Sequence, residues 1–399
     1  MNPDKRGVGF GCGTGKTRTV LELARRKGGK VLVVAPKTQV LDRTWEREME
    51  KTGIEVPLTV ISKERFKKEK PGADILVLDE AHHFLGVTSA TRFRKKVEVP
   101  RASQLFEETL AYVREAKPRC LYLASATPFP QPMALWAAGQ LFGEDWDYFA
   151  FRRKFYAYVP TIGRGVWLPR RDDQHEALLT ALAQKWFSFG RLEDFFDVPD
   201  QVHKDVHCGM TPAQNKAWKE VPLYHPEKLV AVGKRHQVEQ GLREGVLLDE
   251  NKTSEVVELA KEFKKLLVFV RYTAQIDALA AALRAKFKKR DVLVLDGRTV
   301  DRRGLMELAE DKDRQTVVVA QSQVSTGYEL PSFRCTVFAS QSYSFVDYEQ
   351  ALGRTQRANN ISKNVYVHLL AGPVDDAVLK CVRAKQDFNE GLFAKKDKP

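Results

Sequence analysis

A glycine-rich stretch, GFGCGTGKT at residues 9–17, has the composition and spacing of a phosphate-binding loop. In such a loop, backbone N–H groups surround phosphate oxygens at the start of a helix, while the lysine reaches the β- and γ-phosphates and the hydroxyl residue binds Mg²⁺. Phe10 replaces the first glycine of the pattern, and its glycine neighbours supply backbone freedom. The stretch predicts a nucleotide-binding site with Mg²⁺, with an incidental glycine-rich turn as the alternative. The predicted cofactor-binding residues are Gly13, Thr14, Gly15, Lys16, Thr17 and Arg18.

A pair of carboxylates, Asp79 and Glu80, directly follows the apolar run ILVL at residues 75–78. Ligands of open parallel sheets bind beyond the carboxyl ends of the strands, where an acidic residue can meet the Mg²⁺ of a bound nucleotide. We therefore expect Asp79 to hold Mg²⁺ together with Thr17, and Glu80 to orient or deprotonate an attacking water. An acidic strand end that caps the next helix is the alternative.

Short aliphatic runs recur along the chain and are typical of strands that are buried on both faces of a parallel sheet. Helical patterns lie between them, which predicts an α/β protein. The runs form two groups, separated by a stretch from about residue 142 to 251 without a comparable series of strands. We predict two α/β domains, 1–200 and 201–399, with an irregular, partly helical middle segment. The runs are VLVVA (31–35), ILVL (75–78), CLYLA (120–124), LLVFV (266–270), VLVL (292–295), TVVVA (316–320), CTVFA (335–339) and VYVHLL (365–370).

The charge balance favours a polyanionic partner. Lys and Arg number 65 against 52 acidic residues, giving a net charge of +13, which speeds association with a polyanion in a salt-dependent way. The five cysteines are widely spaced and odd in number, which argues against a disulfide framework. The sequence has no metal-type cysteine pair, no secretory core and no run of membrane-span length. These features predict an intracellular (cytoplasmic) protein with no membrane partner.

Over almost its whole length, this sequence resembles the superfamily-two helicases and nucleic-acid translocases, which share an ordered set of motifs. Gly13–Thr17 resembles motif I and Asp79–His82 motif II, while the second half contains a segment similar to motif VI, QALGRTQR at residues 350–357. Between and after them are segments similar to motifs Ia (Ala35–Thr38), Ib (Ile61–Lys63), III (Ser125–Thr127), IV (Val268–Tyr272) and V (Ser325–Leu330). The segments VLVVAPKTQVLDRTWERE and STGYELPSFRCTVFAS resemble the Swi/Snf-like branch, in particular its compact, phage-type members.

The resemblance implies tandem RecA-like P-loop domains and a division of labour among residues. Lys16, Asp79 and Glu80 of the first domain would be joined in catalysis by Gln350, Arg354 and Arg357 of the second, which would add positive charge at the transferred phosphoryl group. Coupling of hydrolysis to nucleic acid would involve His82, Ser125, Ala126 and Thr127. Contacts to the nucleic-acid backbone would come from Pro36, Lys37, Thr38, Ser62, Lys63, Ser325, Thr326 and Gly327.

Members of the family carry an adenine-reading segment before motif I, whereas nine residues precede Phe10 in this sequence. We therefore expect either weak base selectivity or a true start further upstream. The leading hypothesis is an ATP-dependent translocase that acts as a monomer on duplex DNA. A strand-separating helicase on DNA or RNA is the alternative within the class, and a non-hydrolysing clamp that binds nucleic acid with ATP as a structural ligand is the alternative outside it.

Overall fold

The computed structural model describes residues 4–94, 97–160, 165–248, 251–322, 328–356 and 363–385. The chain divides into two compact units, Met1–Phe195 and Phe196–Pro399. The sequence analysis placed this boundary after residue 200. Among the described residues, no helix combines the length and apolar character that crossing a membrane requires. All five cysteines lie in the described part of the chain, and none of them forms a disulfide bond.

The first unit is built on a six-stranded, all-parallel sheet with the strand order β10-β1-β7-β4-β2-β3. Two antiparallel ribbons, β5–β6 and β8–β9, accompany the sheet. The strands are β1 (Lys5–Phe10), β2 (Val31–Ala35), β3 (Leu58–Ser62), β4 (Ile75–Asp79), β5 (Val87–Arg94), β6 (Val97–Ala102), β7 (Cys120–Ala124), β8 (Tyr156–Val159), β9 (Val166–Pro169) and β10 (Phe187–Gly190). The helices are α1 (Lys16–Lys27), α2 (Lys37–Leu41), α3 (Thr44–Thr52), α4 (Lys63–Glu69), α5 (Gln104–Ala116), α6 (Pro132–Phe142), α7 (Tyr148–Phe155) and α8 (Asp173–Ala183), with 3-10 turns at Ala81–His83 and Leu192–Asp194.

The second unit has a second six-stranded parallel sheet, with the order β11-β18-β17-β14-β16-β15. Its strands are β11 (Gln201–His207), β12 (Leu242–Arg243), β13 (Val246–Leu247), β14 (Lys265–Val270), β15 (Asp291–Leu295), β16 (Thr316–Gln321), β17 (Cys335–Phe338) and β18 (Asn364–Leu370). Its helices are α9 (Pro212–Tyr224), α10 (Lys228–Glu239), α11 (Lys252–Glu262), α12 (Thr273–Lys286), α13 (Arg302–Glu310), α14 (Phe345–Leu352) and α15 (Pro373–Arg383). The predicted fold class, two tandem α/β domains with parallel sheets, is confirmed.

The central strands follow directly from their composition. Every residue of β2, β4 and β7 is buried, because helices cover both faces of the sheet and a continuous apolar run can then pack on both sides. One face packs with Val20 and Leu21 of α1, and the other packs with α6. The stretch 142–251, for which we expected no series of strands, supplies one edge strand to each sheet, β10 and β11.

A buried histidine on β18 makes the stability of the second unit depend on pH. The ring of His368 stacks between Phe338 and His203, at centroid distances of 5.0 and 5.7 Å. Burial lowers the pKa of His368 to about 3, with further lowering by the charges of Arg383 and His203 and an opposing effect of Asp205. The folded chain therefore keeps this ring neutral at pH values where the unfolded chain, with a histidine pKa near 6.5, takes up a proton.

Because the folded-state pKa lies below the unfolded value, stability is lost as the pH falls below about 6.5. We expect the unfolding free energy of the second unit to decrease between pH 7 and pH 5, by up to about 1.4 kcal/mol per pH unit for each such histidine. Urea unfolding at both pH values measures this decrease. The variant His368→Asn should show a smaller decrease than the parent chain, and an equal decrease in both would contradict the assignment.

Candidate active site

Five of the predicted motifs lie along one edge of the first sheet. In a parallel sheet, all strands end at the same edge, so the segments that follow β1, β7, β4, β2 and β3 are neighbours in that order. Ala124 pairs with both Val8 of β1 and Asp79 of β4, which places motif III between the phosphate-binding loop and motif II. Ala35 pairs with Ser62, which places motif Ia beside motif Ib. The edge thus carries motifs I, III, II, Ia and Ib in sequence.

The phosphate-binding loop has the backbone form that its glycines predict. Gly13 and Gly15 adopt positive φ angles of 76° and 82°, and Gly15 precedes the first residue of α1. The side chain of Thr14 closes the loop by donating to the carbonyl oxygen of Gly11 at 2.6 Å. Thr17 is half-buried in the first turn of α1, and Arg18 is exposed beside it. The loop therefore presents a helix N-terminus, which favours an anion.

Lys16 lies across this loop. Its Nζ donates to the carbonyl oxygens of Phe10 and Gly11, both at 3.0 Å. Its positive charge also reaches Asp79, where it acts to lower the pKa of that carboxyl. An ammonium group that donates to main-chain oxygens can exchange them for a phosphate, because a carbonyl oxygen is a weaker acceptor than an anion.

Asp79 is held rigidly at the end of β4. Its Oδ2 accepts a hydrogen bond from Trp45 Nε1 at 2.9 Å, and its Oδ1 accepts one from the backbone N–H of Glu80 at 2.9 Å. Burial and the neighbouring charge of Glu80 raise the pKa of Asp79 to about 7. A buried carboxylate beside a second, partly buried one favours a positive charge at this point of the edge.

Glu80 has the left-handed backbone conformation, with φ 48°, directly before the 3-10 turn Ala81–His83. Its Oε2 is buried and has no hydrogen-bond partner among the described residues, while Nδ1 of His82 lies 3.5 Å away. A buried carboxylate oxygen without a partner costs free energy unless a ligand or water satisfies it. The geometry therefore leaves this oxygen available to a reactant.

The donor set at this edge fits Mg²⁺. Asp79 and Thr17 offer a carboxylate and a hydroxyl, which are hard oxygen donors of the kind that Mg²⁺ prefers. The raised pKa of Asp79, caused by burial and then by the charge of Glu80, is the imbalance that a bound cation would remove. The described residues contain no cluster of three or more His, Cys, Asp or Glu side chains that could hold a metal by themselves. The roles of Thr17 and Asp79 as ligands therefore stay predictions.

Motifs II and III are in direct contact. Nδ1 of His82 lies 3.0 Å from Oγ of Ser125, and the same Oγ accepts a hydrogen bond from the backbone N–H of Thr127 at 3.2 Å. Burial lowers the pKa of His82 to about 4, so the ring is neutral near pH 7 and can bond to a hydroxyl without carrying charge. Ala126 lies between the two hydroxyl residues and is partly exposed. The structure brings these residues together, and their coupling role stays a prediction.

The predicted nucleic-acid residues of the first unit differ in their surroundings. Lys37 is exposed at the start of α2, whereas Pro36 and the Oγ1 atom of Thr38 are buried. Ser62 is 7% exposed and caps α4, because its Oγ accepts from the backbone N–H of Arg65 at 3.3 Å. Lys63 is half-buried, and burial lowers its pKa, with Glu64 and then Glu80 acting in the opposite direction. Lys63 therefore lies within electrostatic range of the motif II carboxylate.

The second unit holds the other predicted site residues. Arg354 is 7% exposed, and its guanidinium donates to the carbonyl oxygens of Gln350 and Tyr328, both at 2.8 Å. Gln350 is also buried, in α14. The contacts of Arg354 pack the end of α14 inside this unit, and a role at a phosphate stays a prediction. Ser325, Thr326, Gly327 and Arg357 lie outside the described residues.

Trp45 has a function that the sequence did not reveal. It is fully buried in α3, and its indole N–H fixes one oxygen of Asp79. No spacing signal connects two residues that lie 34 positions apart. The contact positions the motif II carboxylate while the indole also contributes to the core.

Comparison with known proteins bears on the second half of the chain. The family model "Helicase conserved C-terminal domain" matches residues 251–359. No curated protein matches the chain. Among the solved structures, the "Sulfolobus solfataricus SWI2/SNF2 ATPase core in complex with dsDNA" is similar to this chain at 16% identity and a TM-score of 0.39, over 99% of this chain and 89% of that one. The segments similar to motifs IV, V and VI all lie within the residues that this family model matches.

Proposed function

We propose that the protein is a nucleic-acid motor that hydrolyses ATP and translocates along duplex DNA. The observation that carries this proposal is the order of motifs I, III, II, Ia and Ib along a single edge of the first sheet. In that order, the phosphate-binding loop, the pair of carboxylates and the segments similar to motifs Ia and Ib follow neighbouring strands of the sheet. The helicase-type domain in the second half of the chain supports the same proposal.

Each predicted catalytic or cofactor-binding side chain discussed below has a chemical role in this proposal. Lys16 turns from the loop carbonyls to the β- and γ-phosphates of ATP, and the N–H groups at the start of α1 bind phosphate oxygens. Glu80 uses its unsatisfied Oε2 to orient the attacking water and accept its proton. Asp79, fixed by Trp45, and Thr17 would hold Mg²⁺, which when bound neutralises charge on the phosphate oxygens.

A basic ribbon beside motif II supplies a surface for the nucleic-acid backbone. The ribbon β5–β6 follows the 3-10 turn of motif II, and Arg94 and Arg101 are exposed along it, while the exposed Arg92 is ion-paired with Glu107. Phe93 is 78% exposed between two of these arginines. The hydroxyl of Tyr148 lies 2.9 Å from the carbonyl oxygen of Thr88 at the base of the ribbon, which fixes it to α7. Positive charge on a fixed ribbon suits contacts to phosphates, which read no base sequence.

The proposal is tested by comparing ATP hydrolysis with duplex DNA, single-stranded DNA and RNA. We expect duplex DNA to stimulate hydrolysis most, and we expect the protein to remove the third strand of a triplex without unwinding a forked duplex. Efficient unwinding of the fork, or stimulation by RNA alone, would favour the strand-separating helicase instead. Binding of DNA without any hydrolysis would favour the clamp.

The salt dependence of the affinity for duplex DNA tests whether the ribbon contacts phosphates. Each neutralised phosphate of duplex DNA contributes about 0.9 to the slope of log affinity against log salt concentration. If Arg94 on the ribbon contacts a phosphate, Arg94→Gln should lower that slope by about 0.9. Arg114→Gln, which removes an exposed arginine from α5, is the matched control and should leave the slope unchanged. Equal slopes in all three proteins would exclude Arg94 as a contact.

A further inference from the structure

The order of strands in the first sheet determines on which side of the phosphate-binding loop the base of ATP must lie. The loop follows β1, and β1 lies between β7 and β10. Asp79 and Glu80 are on the β7 side, because β4 is the next strand beyond β7. A γ-phosphate within reach of Glu80 points toward that side, and this step rests on the function proposed above. Since the triphosphate separates the base from the γ-phosphate, the base lies on the other side, toward β10.

The turn that follows β10 is attached to the phosphate-binding loop by its backbone. Gly190 at the end of β10 pairs with Phe10 at the end of β1, and Gly190 accepts a hydrogen bond from the N–H of Gly11 at 2.8 Å. The chain then makes the 3-10 turn Leu192–Asp194, in which Leu192 is buried and Oδ2 of Asp194 accepts from the N–H of Arg191 at 2.7 Å. The turn is therefore attached to the loop through Gly190 and closed by its own hydrogen bond from Arg191 to Asp194.

An aromatic ring is held at this position with much of its surface exposed. The ring of Phe195 contacts the ring of Phe10, with centroids 5.3 Å apart and planes at 55°. Phe195 nevertheless remains 49% exposed. A Cβ atom at Gly190 would lie 2.4 Å from the Phe195 ring, so only glycine at that position lets the ring approach the strand. The packing therefore fixes a phenyl ring next to the loop and leaves much of the residue's surface exposed.

From this arrangement we propose that Phe195 is the stacking surface for the adenine base of ATP, with the ring of Phe10 packed against the Phe195 ring. A planar heterocycle stacks on an aromatic side chain through its π-face. The loop holds the phosphates and the ring holds the base, so one nucleotide spans both. The two halves of the nucleotide site then come from positions about 180 residues apart in the sequence, motif I and the turn after β10.

The test measures binding of a non-hydrolysable ATP analogue and of inorganic tripolyphosphate to the full chain by calorimetry. We expect Phe195→Ala to weaken binding of the ATP analogue about 5- to 150-fold, which is the range of base–aromatic stacking. Binding of tripolyphosphate should not change, because the phosphate-binding loop is intact. Phe195→Trp should keep the affinity for the ATP analogue.

Phe189→Ala is the matched control. Phe189 is 44% exposed on the same strand edge, but its ring packs against Phe129 and Phe187. Phe195 packs against β10 on the face to which Gly190 points. Because side chains alternate along a strand, the neighbouring Phe189 points to the opposite face. This variant should bind both ligands like the parent chain.

The outcomes separate this proposal from the proposed function. If the parent chain binds neither ligand, the nucleotide site itself is wrong. If the parent chain binds both but Phe195→Ala keeps its affinity for the ATP analogue, the stacking surface is wrong while the function stands. Equal weakening of both ligands in Phe195→Ala would show that the ring only supports the loop, and it would also overturn the proposal.

Discussion

Replacing Glu80 by glutamine is expected to slow ATP hydrolysis by about 10²- to 10⁴-fold, the usual contribution of a general base. The amide keeps the size of the side chain but cannot accept a proton from water. The Oε2 atom of Glu80 is buried without a hydrogen-bond partner among the described residues, so the substitution removes no hydrogen bond at that oxygen. ATP affinity should therefore stay close to that of the parent chain, and steady-state kinetics with a direct binding measurement will separate the two effects.

Two further variants sharpen this test. Lys16→Ala should lose nucleotide binding, because the ammonium group is the predicted ligand of the phosphates. Glu64→Gln removes an exposed carboxylate at the start of α4 and should hydrolyse ATP at the parent rate. If Glu80→Gln and Lys16→Ala lost binding equally, Glu80 would be a structural residue of the site and not the base.

Much of the fold could be predicted because the central strands carry an unambiguous signal. Runs such as VLVVA and CLYLA are apolar at every position, and only a strand covered on both faces explains that pattern. Two of the edge strands, β10 and β11, lack this signal, whereas the edge strand β15 carries it as VLVL. β11 is largely exposed and has only two valines among polar residues, and β10 has only four residues and ends in glycine. The composition of β10 and β11 therefore resembles that of a loop.

The chemistry of the site could be predicted where one short segment contains all of its parts. The loop at Gly13–Thr17 and the pair Asp79–Glu80 are segments of this kind. The contacts between distant segments could not be predicted, because they arise from the strand order. Trp45 reaches Asp79 only because α3 packs against the sheet, and Phe195 reaches Phe10 only because β10 pairs with β1. The motif pattern also gave no hint that Ser62 would cap α4.

The largest effect on stability is expected in the second unit, at a buried ion pair that links three helices. Nζ of Lys252 lies 2.7 Å from Oδ2 of Asp375, and both side chains are almost completely buried. Oδ1 of Asp375 accepts a hydrogen bond from Nε2 of Gln240 at 2.7 Å and lies 3.2 Å from Nε2 of His236. Oδ2 also accepts from the backbone N–H of Ala371 at 2.9 Å. The carboxylate thus joins the start of α15 to α10, α11 and the end of β18.

Charge compensation decides the energy of this pair. Burial alone would raise the pKa of Asp375, but the charge of Lys252 and the hydrogen bond from His236 outweigh it and lower the pKa. The carboxylate is therefore ionised in the folded chain throughout the neutral range. Removing it leaves the ammonium of Lys252 buried without its carboxylate, and breaking a buried pair in this way is far more costly than replacing both partners.

Asp375→Ala should accordingly lower the unfolding free energy of the second unit by about 3–5 kcal/mol. Asp376→Ala is the matched control, because its side chain is 52% exposed at the next position of the same helix, and it should change stability by no more than about 0.5 kcal/mol. Hydrogen exchange of the β18 amides measures the second unit, and binding of an ATP analogue to the phosphate-binding loop reports on the first. We expect exchange in β18 to accelerate in Asp375→Ala while nucleotide binding persists. Equal exchange in the two alanine variants would show that the pair contributes nothing beyond an exposed carboxylate.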